Sequence, residues 1–210
     1  MTSFENLIAN HFYINLDKRN DRMISCEEEL NKLGLVRPNR FAAIEHKMGI
    51  IGCGMSHLKC IQMAKEENLP YVTIFEDDIV IPKPNQVKNI VNRILESKVE
   101  WDIILLSGNN FKPNKEEHED YSIVQRCYTT TAYIIKKDFY DIYIENLKEG
   151  LLLLMNTKSR DYSLDAYWIK LQIKYRFLLI NPLSIYQKPD YSDIENKEVD
   201  YHHIMLNNDK

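Results

Sequence analysis

No stretch of this sequence is long and apolar enough to span a bilayer. Its densest leucine cluster, Leu151 to Met155, falls far short of the roughly 20 residues a spanning helix needs. The opening Met1 to Asn10 lacks the basic start and apolar stretch of a secretory leader, so a cytoplasmic setting is the expectation. The four cysteines, Cys26, Cys53, Cys60 and Cys127, show no CxxC spacing, and reduced thiols are expected rather than a disulfide framework. Cys53 and Cys60 bracket His57, at a spacing that fits no common zinc finger. A basic stripe is also missing: 27 Lys and Arg are interleaved with 31 Asp and Glu, for a net charge of -4. That balance sets nucleic acid aside as the main partner. The glycines form neither a Walker A loop nor a G-x-G-x-x-G fingerprint. There is no internal repeat, low-complexity segment or interdomain linker.

What remains is 44% hydrophobic and 28% charged, ordinary for a globular chain. Short apolar runs at Phe12 to Leu16, Tyr71 to Phe75, Trp101 to Leu106, Thr130 to Ile135 and Tyr175 to Ile180 read as strands. Between them lie helical patterns. The clearest is Val87, Ile90, Val91, Ile94 and Leu95, at i, i+3, i+4, i+7 and i+8. Further helices are expected from Met23 to Leu33, His57 to Asn68, Lys137 to Leu147 and Leu164 to Leu171. Gly49, Gly52 and Gly54 suggest a flexible loop, with Ser56 as the N-cap of the helix that follows. Lys112 to Asp120 reads as an exposed loop, and the tail after Pro189 as irregular. The alternation implies an α/β fold with a mostly parallel, Rossmann-like central sheet flanked by helices.

One stretch stands apart. In Tyr71-Val72-Thr73-Ile74-Phe75-Glu76-Asp77-Asp78-Ile79-Val80-Ile81-Pro82 three acids interrupt an apolar run. Burying ionised carboxylates without partners costs several kcal/mol, so something must compensate them. A divalent cation with hard oxygen ligands, Mn²⁺ or Mg²⁺, is one answer; a salt-bridged acidic turn at a strand end is the other. The position after a strand suits a ligand site, because open α/β sheets bind at the carboxyl ends of their strands.

Four blocks then resemble, in order, glycosyltransferase family 25, the group of lipopolysaccharide and collagen galactosyltransferases. They are Phe12 to Arg22, Gly52-Cys53-Gly54-Met55-Ser56-His57-Leu58, Phe75-Glu76-Asp77-Asp78 and Tyr191-Ser192-Asp193-Ile194. The resemblance implies a GT-A type fold in a single domain, with a nucleotide-sugar-binding half (1–110), an acceptor-side half (111–190) and a polar tail (191–210). It implies a UDP-sugar donor, UDP-galactose or UDP-glucose, and transfer with inversion to the hydroxyl of a glycan, glycolipid or hydroxylated protein. In that pattern Asp78 holds the metal and Glu76 faces the nucleotide, while Asp77 can exchange roles with either.

Arg19 and Arg22 follow the first strand, where a guanidinium can meet phosphate; a solvated helix start is the alternative for Arg19. Asn15 and Asp17 can bond uracil or ribose, and Asp17 can equally cap the helix. Ser56 and His57 open a helix whose N-terminus would favour anions, although His57 also suits a hydrogen-bonded core position. An inverting transfer needs a general base. The resemblance assigns it to Asp165 in Ser163-Leu164-Asp165-Ala166-Tyr167-Trp168, where a helix-dipole role competes. His202 is taken from the same pattern as a late metal ligand. Two rival functions stay open, a metal-dependent nucleotidyltransferase and a catalytically silent carbohydrate- or nucleotide-sugar-binding homologue. The glycine-free Asp17 to Arg22 disfavours the first and the complete acid set disfavours the second.

Overall fold

The computed structural model describes residues 2–207, so Met1 and the last three residues of the polar tail lie outside the described residues. In chain order the elements are α1 (Phe4–Ala9), β1 (His11–Asn15), α2 (Asn20–Lys32), β2 (Arg40–Ala42), α3 (Gly49–Glu66), β3 (Tyr71–Glu76), β4 (Ile79–Val80) and α4 (Pro84–Glu96). There follow β5 (Ile103–Leu105), β6 (Asn109–Asn110), β7 (Glu116–Glu117), β8 (Tyr121–Ile123), β9 (Cys127–Tyr128), β10 (Ala132–Lys136) and α5 (Tyr140–Thr157). The chain continues through α6 (Leu164–Tyr167), α7 (Ile169–Lys174), β11 (Phe177–Ile180), β12 (Tyr186–Gln187), β13 (Asp190–Ser192), β14 (Lys197–Val199) and α8 (His202–Met205). Among the described residues no helix is long and apolar enough to cross a membrane.

The central sheet has eight strands in the order β2-β1-β3-β10-β5-β11-β8-β7. It is mixed, which corrects the mostly parallel expectation. β1 runs parallel to β2 and β3, and β11 to β5. β10 is antiparallel to both its neighbours, and β8 to β11 and β7. Apolar runs buried on both faces do not encode strand direction, so the pattern could not distinguish the two. The inversion has a consequence: β10 begins where β3 ends, with Ala132 opposite Phe75 and the Glu76 N–H donating to the Thr131 carbonyl at 2.9 Å. The threonines before β10 are thereby laid beside the acids after β3.

Alternate residues of each strand feed two cores. Phe12, Ile14, Ile74, Ile103, Leu105, Tyr133 and Phe177 face α3, α5 and α7 through Cys60, Ile61, Ala64, Leu147 and Leu171. Tyr13, Phe75, Ile104, Ile134 and Leu178 face α1, α2 and α4 through Leu7, Leu30, Val87, Ile90, Val91 and Ile94. The period-2 split follows from strand geometry, and the α4 stripe is the helical one read from sequence, with Leu95 at its edge.

The glycine segment is the second correction. Gly49 to Gly54 is the first part of an 18-residue helix, not a loop. Its glycines serve close approach: a Cβ on Gly52 would lie 2.4 Å from the Ile44 carbonyl, and one on Gly49 2.9 Å from that of Asp193. Among the described residues beyond Pro189 the chain forms the β13–β14 hairpin and α8, where an irregular tail was expected. The expected exposed loop at Lys112 to Asp120 contributes the edge strand β7.

His11, on β1, is buried with Nδ1 against the Ile8 carbonyl at 2.8 Å and Nε2 accepting from the Asn39 N–H at 3.0 Å. Burial pulls its pKa below the ordinary 6.5, so the folded state holds the ring neutral where the unfolded chain protonates it. This stability is complete above 6.5 and is lost as pH falls through the lower folded value. A His11→Gln variant is expected to be about 1–2 kcal/mol less stable at pH ~8. Urea denaturation should show its gap to the unaltered protein narrowing toward pH ~5.

Candidate functional site

The acids sit at the carboxyl end of β3, in the tight connection to β4. Glu76, the last residue of β3, accepts from the Thr130 hydroxyl at Oε1 (2.6 Å) and from the Gln187 amide at Oε2 (3.4 Å). His57 Nε2 lies 3.3 Å from the same Oε1. Burial works to raise the Glu76 pKa, but His57, Thr130 and Arg22 outweigh it and hold the carboxyl below its ordinary value. Asp77 accepts from the Asn15 amide at 2.7 Å and from Arg22 Nη1 at 3.0 Å. Burial still leaves its pKa raised.

Asp78 is the least compensated. Arg22 Nη1 approaches its Oδ2 at 3.5 Å, while its buried Oδ1 has no hydrogen-bond partner. Burial, with the charge of Glu76 beside it, pushes its pKa up to about 8. An orphaned carboxylate oxygen is the coordination that a hard divalent ion seeks, since Mg²⁺-like ions use one or two carboxylates and complete their shell with water and phosphate oxygens. The residues fit such an ion at Asp78, with Asp77 beside it.

Arg22 is the hub. Besides Asp77 and Asp78 it donates from Nε to Asp190 (3.0 Å) and from Nη2 to the Tyr191 carbonyl (3.1 Å). Arg19 adds bonds to Asp21 (2.9 Å), Asp190 (2.9 Å) and Asp193 (2.6 Å). The two arginines therefore clamp the β13–β14 hairpin over the acids, and Asp193 of the Ser-Asp-Ile block is the partner of Arg19. Asp190, which the sequence did not single out, is held below its ordinary pKa: burial opposes, and the Tyr191 N–H, Arg22 and Arg19 prevail.

Several expected residues are placed otherwise than anticipated. Asn15 is buried and already committed, its amide nitrogen to Asp77 and the Arg19 carbonyl, its oxygen to Arg40. Asp17 neither caps α2 nor faces the acids; it is 81% exposed at its side chain and pairs with Arg40 at 2.7 Å. Ser56 lies inside α3 and not at its N-terminus, so the helix-end argument for anion binding by Ser56 and His57 does not hold. Its hydroxyl bridges the Gly52 carbonyl (2.7 Å) and the Ile44 N–H (2.8 Å). His57, on the same buried helix face, reaches the acids from beneath. His202 is half-buried on α8 with its ring against Tyr186, the cross-strand partner of Val80. Asp77, Asp78 and His202 do not converge as a ligand set. Among the described residues the one group of three such ligand atoms within 4.8 Å of one another is Cys53, His57 and Glu76.

Asp165, in the first turn of α6, reaches the site through β10's entry. Its Oδ1 accepts from the Ser163 hydroxyl (2.9 Å) and its Oδ2 from the Thr129 N–H (3.2 Å). Thr129 has φ 67°, a left-handed conformation that a β-branched residue adopts at a cost of about 1–3 kcal/mol and that clusters at functional sites. Thr130, the next residue, holds Glu76. Asp165 and Glu76 are thus held by two adjacent residues, Thr129 and Thr130, of a strained strand entry. The Cys53 thiol registers Glu76, Asp165, Asp78 and Asp77 together, all of which add to the rise that burial causes in its pKa. No spacing rule ties residue 76 to 129, 130 or 187, so sequence reasoning had no signal for Thr129, Thr130 or Gln187.

The family profile described as glycosyltransferase family 25 (LPS biosynthesis protein) matches residues 47–181. No curated protein matches. Among solved structures the chain is similar to A197 from STIV, at 12% identity over 90% of this chain and 92% of that one, with a TM-score of 0.49. A glycosyltransferase involved in glycosylation of the major capsid of PBCV-1 matches at 12% identity, 82% and 81% coverage and a TM-score of 0.48. A Drosophila galactosyltransferase complexed with manganese, UDP-Gal and xylobiose matches at 8%, 95% and 74%, and 0.42.

Proposed function

Because the chain belongs to glycosyltransferase family 25, we propose that it is a metal-dependent, inverting hexosyltransferase of GT-A type. It takes galactose or glucose from a UDP-sugar and places it on an acceptor hydroxyl. The observation that carries this reading is the partnerless, buried Oδ1 of Asp78 at the carboxyl end of β3, within a set of acids only partly neutralised by Arg22. Asp78, with Asp77, would hold Mn²⁺ or Mg²⁺, which when bound supplies positive charge for a departing diphosphate. Glu76, oriented by Thr130, Gln187 and His57, faces the nucleotide.

Asp165 takes the proton of the acceptor hydroxyl as its oxygen attacks the anomeric carbon. The bond from that carbon to the phosphate oxygen breaks, and its electron pair leaves on UDP. Ser163 and the Thr129 N–H hold the Asp165 carboxylate in place for this role. Inversion follows from attack on the face opposite the leaving group. The acceptor class is the glycan, glycolipid or hydroxylated-protein hydroxyl that the family resemblance implies.

The test is UDP release by the purified chain across a panel of UDP-sugars with and without Mn²⁺. Metal-dependent release from one donor is expected. Absence of release, together with absence of thermal stabilisation by every UDP-sugar, would refute the reading. An Asp165→Asn variant retains an acceptor for the Thr129 N–H, so its loss in kcat, about 10²–10⁴-fold, should appear without a change in UDP affinity. An unchanged kcat would reduce Asp165 to a brace for the strained Thr129.

A further inference from the structure

Cys53, His57 and Glu76 present a thiol sulfur, an imidazole nitrogen and a carboxylate oxygen within 4.8 Å of one another. His57 is fully buried, and its Nε2 has no hydrogen-bond partner although it lies 3.3 Å from Glu76 Oε1. The other ring nitrogen, Nδ1, is 3.0 Å from the Tyr133 hydroxyl, with the two rings stacked at 5.8 Å. With the Nδ1 proton directed at that hydroxyl, Nε2 points its lone pair at a carboxylate and a thiol. Nε2 then makes no hydrogen bond, and a cation that displaces the thiol proton can take the nitrogen, the carboxylate and the sulfur together as ligands. A ligating histidine usually anchors its second nitrogen in this way, which fixes both tautomer and ring direction.

The donor set differs in kind from that of Asp77 and Asp78. Oxygen-only ligands suit Mn²⁺ and Mg²⁺, whereas sulfur with imidazole selects Zn²⁺ and its spectroscopic stand-in Co²⁺. Tetrahedral zinc places nitrogen and oxygen ligands about 3.3 Å apart, the separation already found between His57 and Glu76. Cys53 and Glu76 are only half-buried, so an ion can reach the site from the acid side.

We propose that Cys53, His57 and Glu76 form a second cation site, selective for Zn²⁺, whose occupation blocks the nucleotide by taking Glu76. The blocking half rests on the reading above that Glu76 faces the nucleotide; the metal site itself does not. Zinc is then an inhibitor that competes with the donor for one carboxylate, while Mn²⁺ at Asp78 supports the transfer.

Two arms keep these claims apart. In the first, metal-free full-length chain is titrated with Co²⁺ in the absence of nucleotide. A thiolate-to-cobalt charge-transfer band at one ion per chain is expected. It should be lost in Cys53→Ser and in His57→Gln and kept in Cys60→Ala, a control for the other buried thiols. No band, or a band that survives Cys53→Ser in a variant that melts like the parent, would overturn the site and leave His57 beside Glu76 as a contact that takes no metal. In the second, UDP binding is measured calorimetrically with Mn²⁺ present, with and without Zn²⁺. Zinc is expected to weaken UDP at least tenfold in the parent and not in Cys53→Ser. Equal weakening in both proteins would overturn the blocking role. Failure of UDP to bind even without zinc would instead count against the nucleotide reading, and the cobalt arm would stand by itself.

Discussion

Asp78→Asn is expected to lower metal-dependent UDP release by about a thousandfold, the several kcal/mol of charge stabilisation that a divalent ion contributes to a departing phosphate. The same variant should be more stable than the parent in metal-free buffer at alkaline pH. The sign follows from the raised pKa. The folded carboxyl sits at about 8 against an ordinary 3.8, so between those values the folded state holds a proton that the unfolded chain has released. Stability conferred by the neutral form is complete below the ordinary value and is lost as pH rises through the folded one. Metal-free parent protein should therefore melt progressively lower from pH ~4 to pH ~8, a slope that the neutral amide removes. Mn²⁺ should restore stability to the parent at pH ~8 and do little for the variant. Equal melting curves with and without Mn²⁺ in both proteins would show that the orphaned oxygen does not receive an ion.

The second large effect belongs to Arg22. Its side chain is largely buried and contacts three carboxylates, Asp77, Asp78 and Asp190, with the Tyr191 carbonyl as a fourth partner. Removing one member of a buried charge cluster leaves the others uncompensated and typically costs 3–5 kcal/mol. Arg22→Met preserves much of the aliphatic volume and is expected to lower stability by about 3 kcal/mol in metal-free urea denaturation. It should also release the β13–β14 hairpin, read as faster amide exchange over residues 190–199, because Asp190 then keeps only Arg19 as an ion-pair partner, while Asp193 keeps Arg19 and Lys18. Mn²⁺ should raise the melting temperature of the variant more than that of the parent, since a cation replaces part of the missing charge. If the hairpin exchanges no faster, the clamp is not what seats it.

The acid strip shows both how far sequence reading reaches and where it stops. Three carboxylates inside an apolar run are legible because ionised groups in such a setting demand a compensating charge, and the structure puts them at a strand's carboxyl end. The identity of the compensation is not legible, because Arg22, Asn15, Thr130 and His57 come from four separate segments. Glycine misled for a related reason. In sequence, Gly49, Gly52 and Gly54 look like flexibility; in the fold they are helical and allow the Ile44 and Asp193 backbones to approach, a demand set by neighbours distant along the chain.

By itself, then, the sequence determined the alternation of strands and helices, the two-sided burial of the central strands, the α4 stripe and the place of the acids. All of these depend on local periodicity and on the cost of burying charge. Tertiary structure alone decided the direction of β10 and, with it, the placing of Thr129, Thr130 and Asp165 against Glu76. It also decided the clamp of Arg19 and Arg22 on the hairpin and the meeting of Cys53 with His57 and Glu76. Strand direction and long-range side-chain partners arise from how the layers pack, and a run of apolar residues carries no record of either.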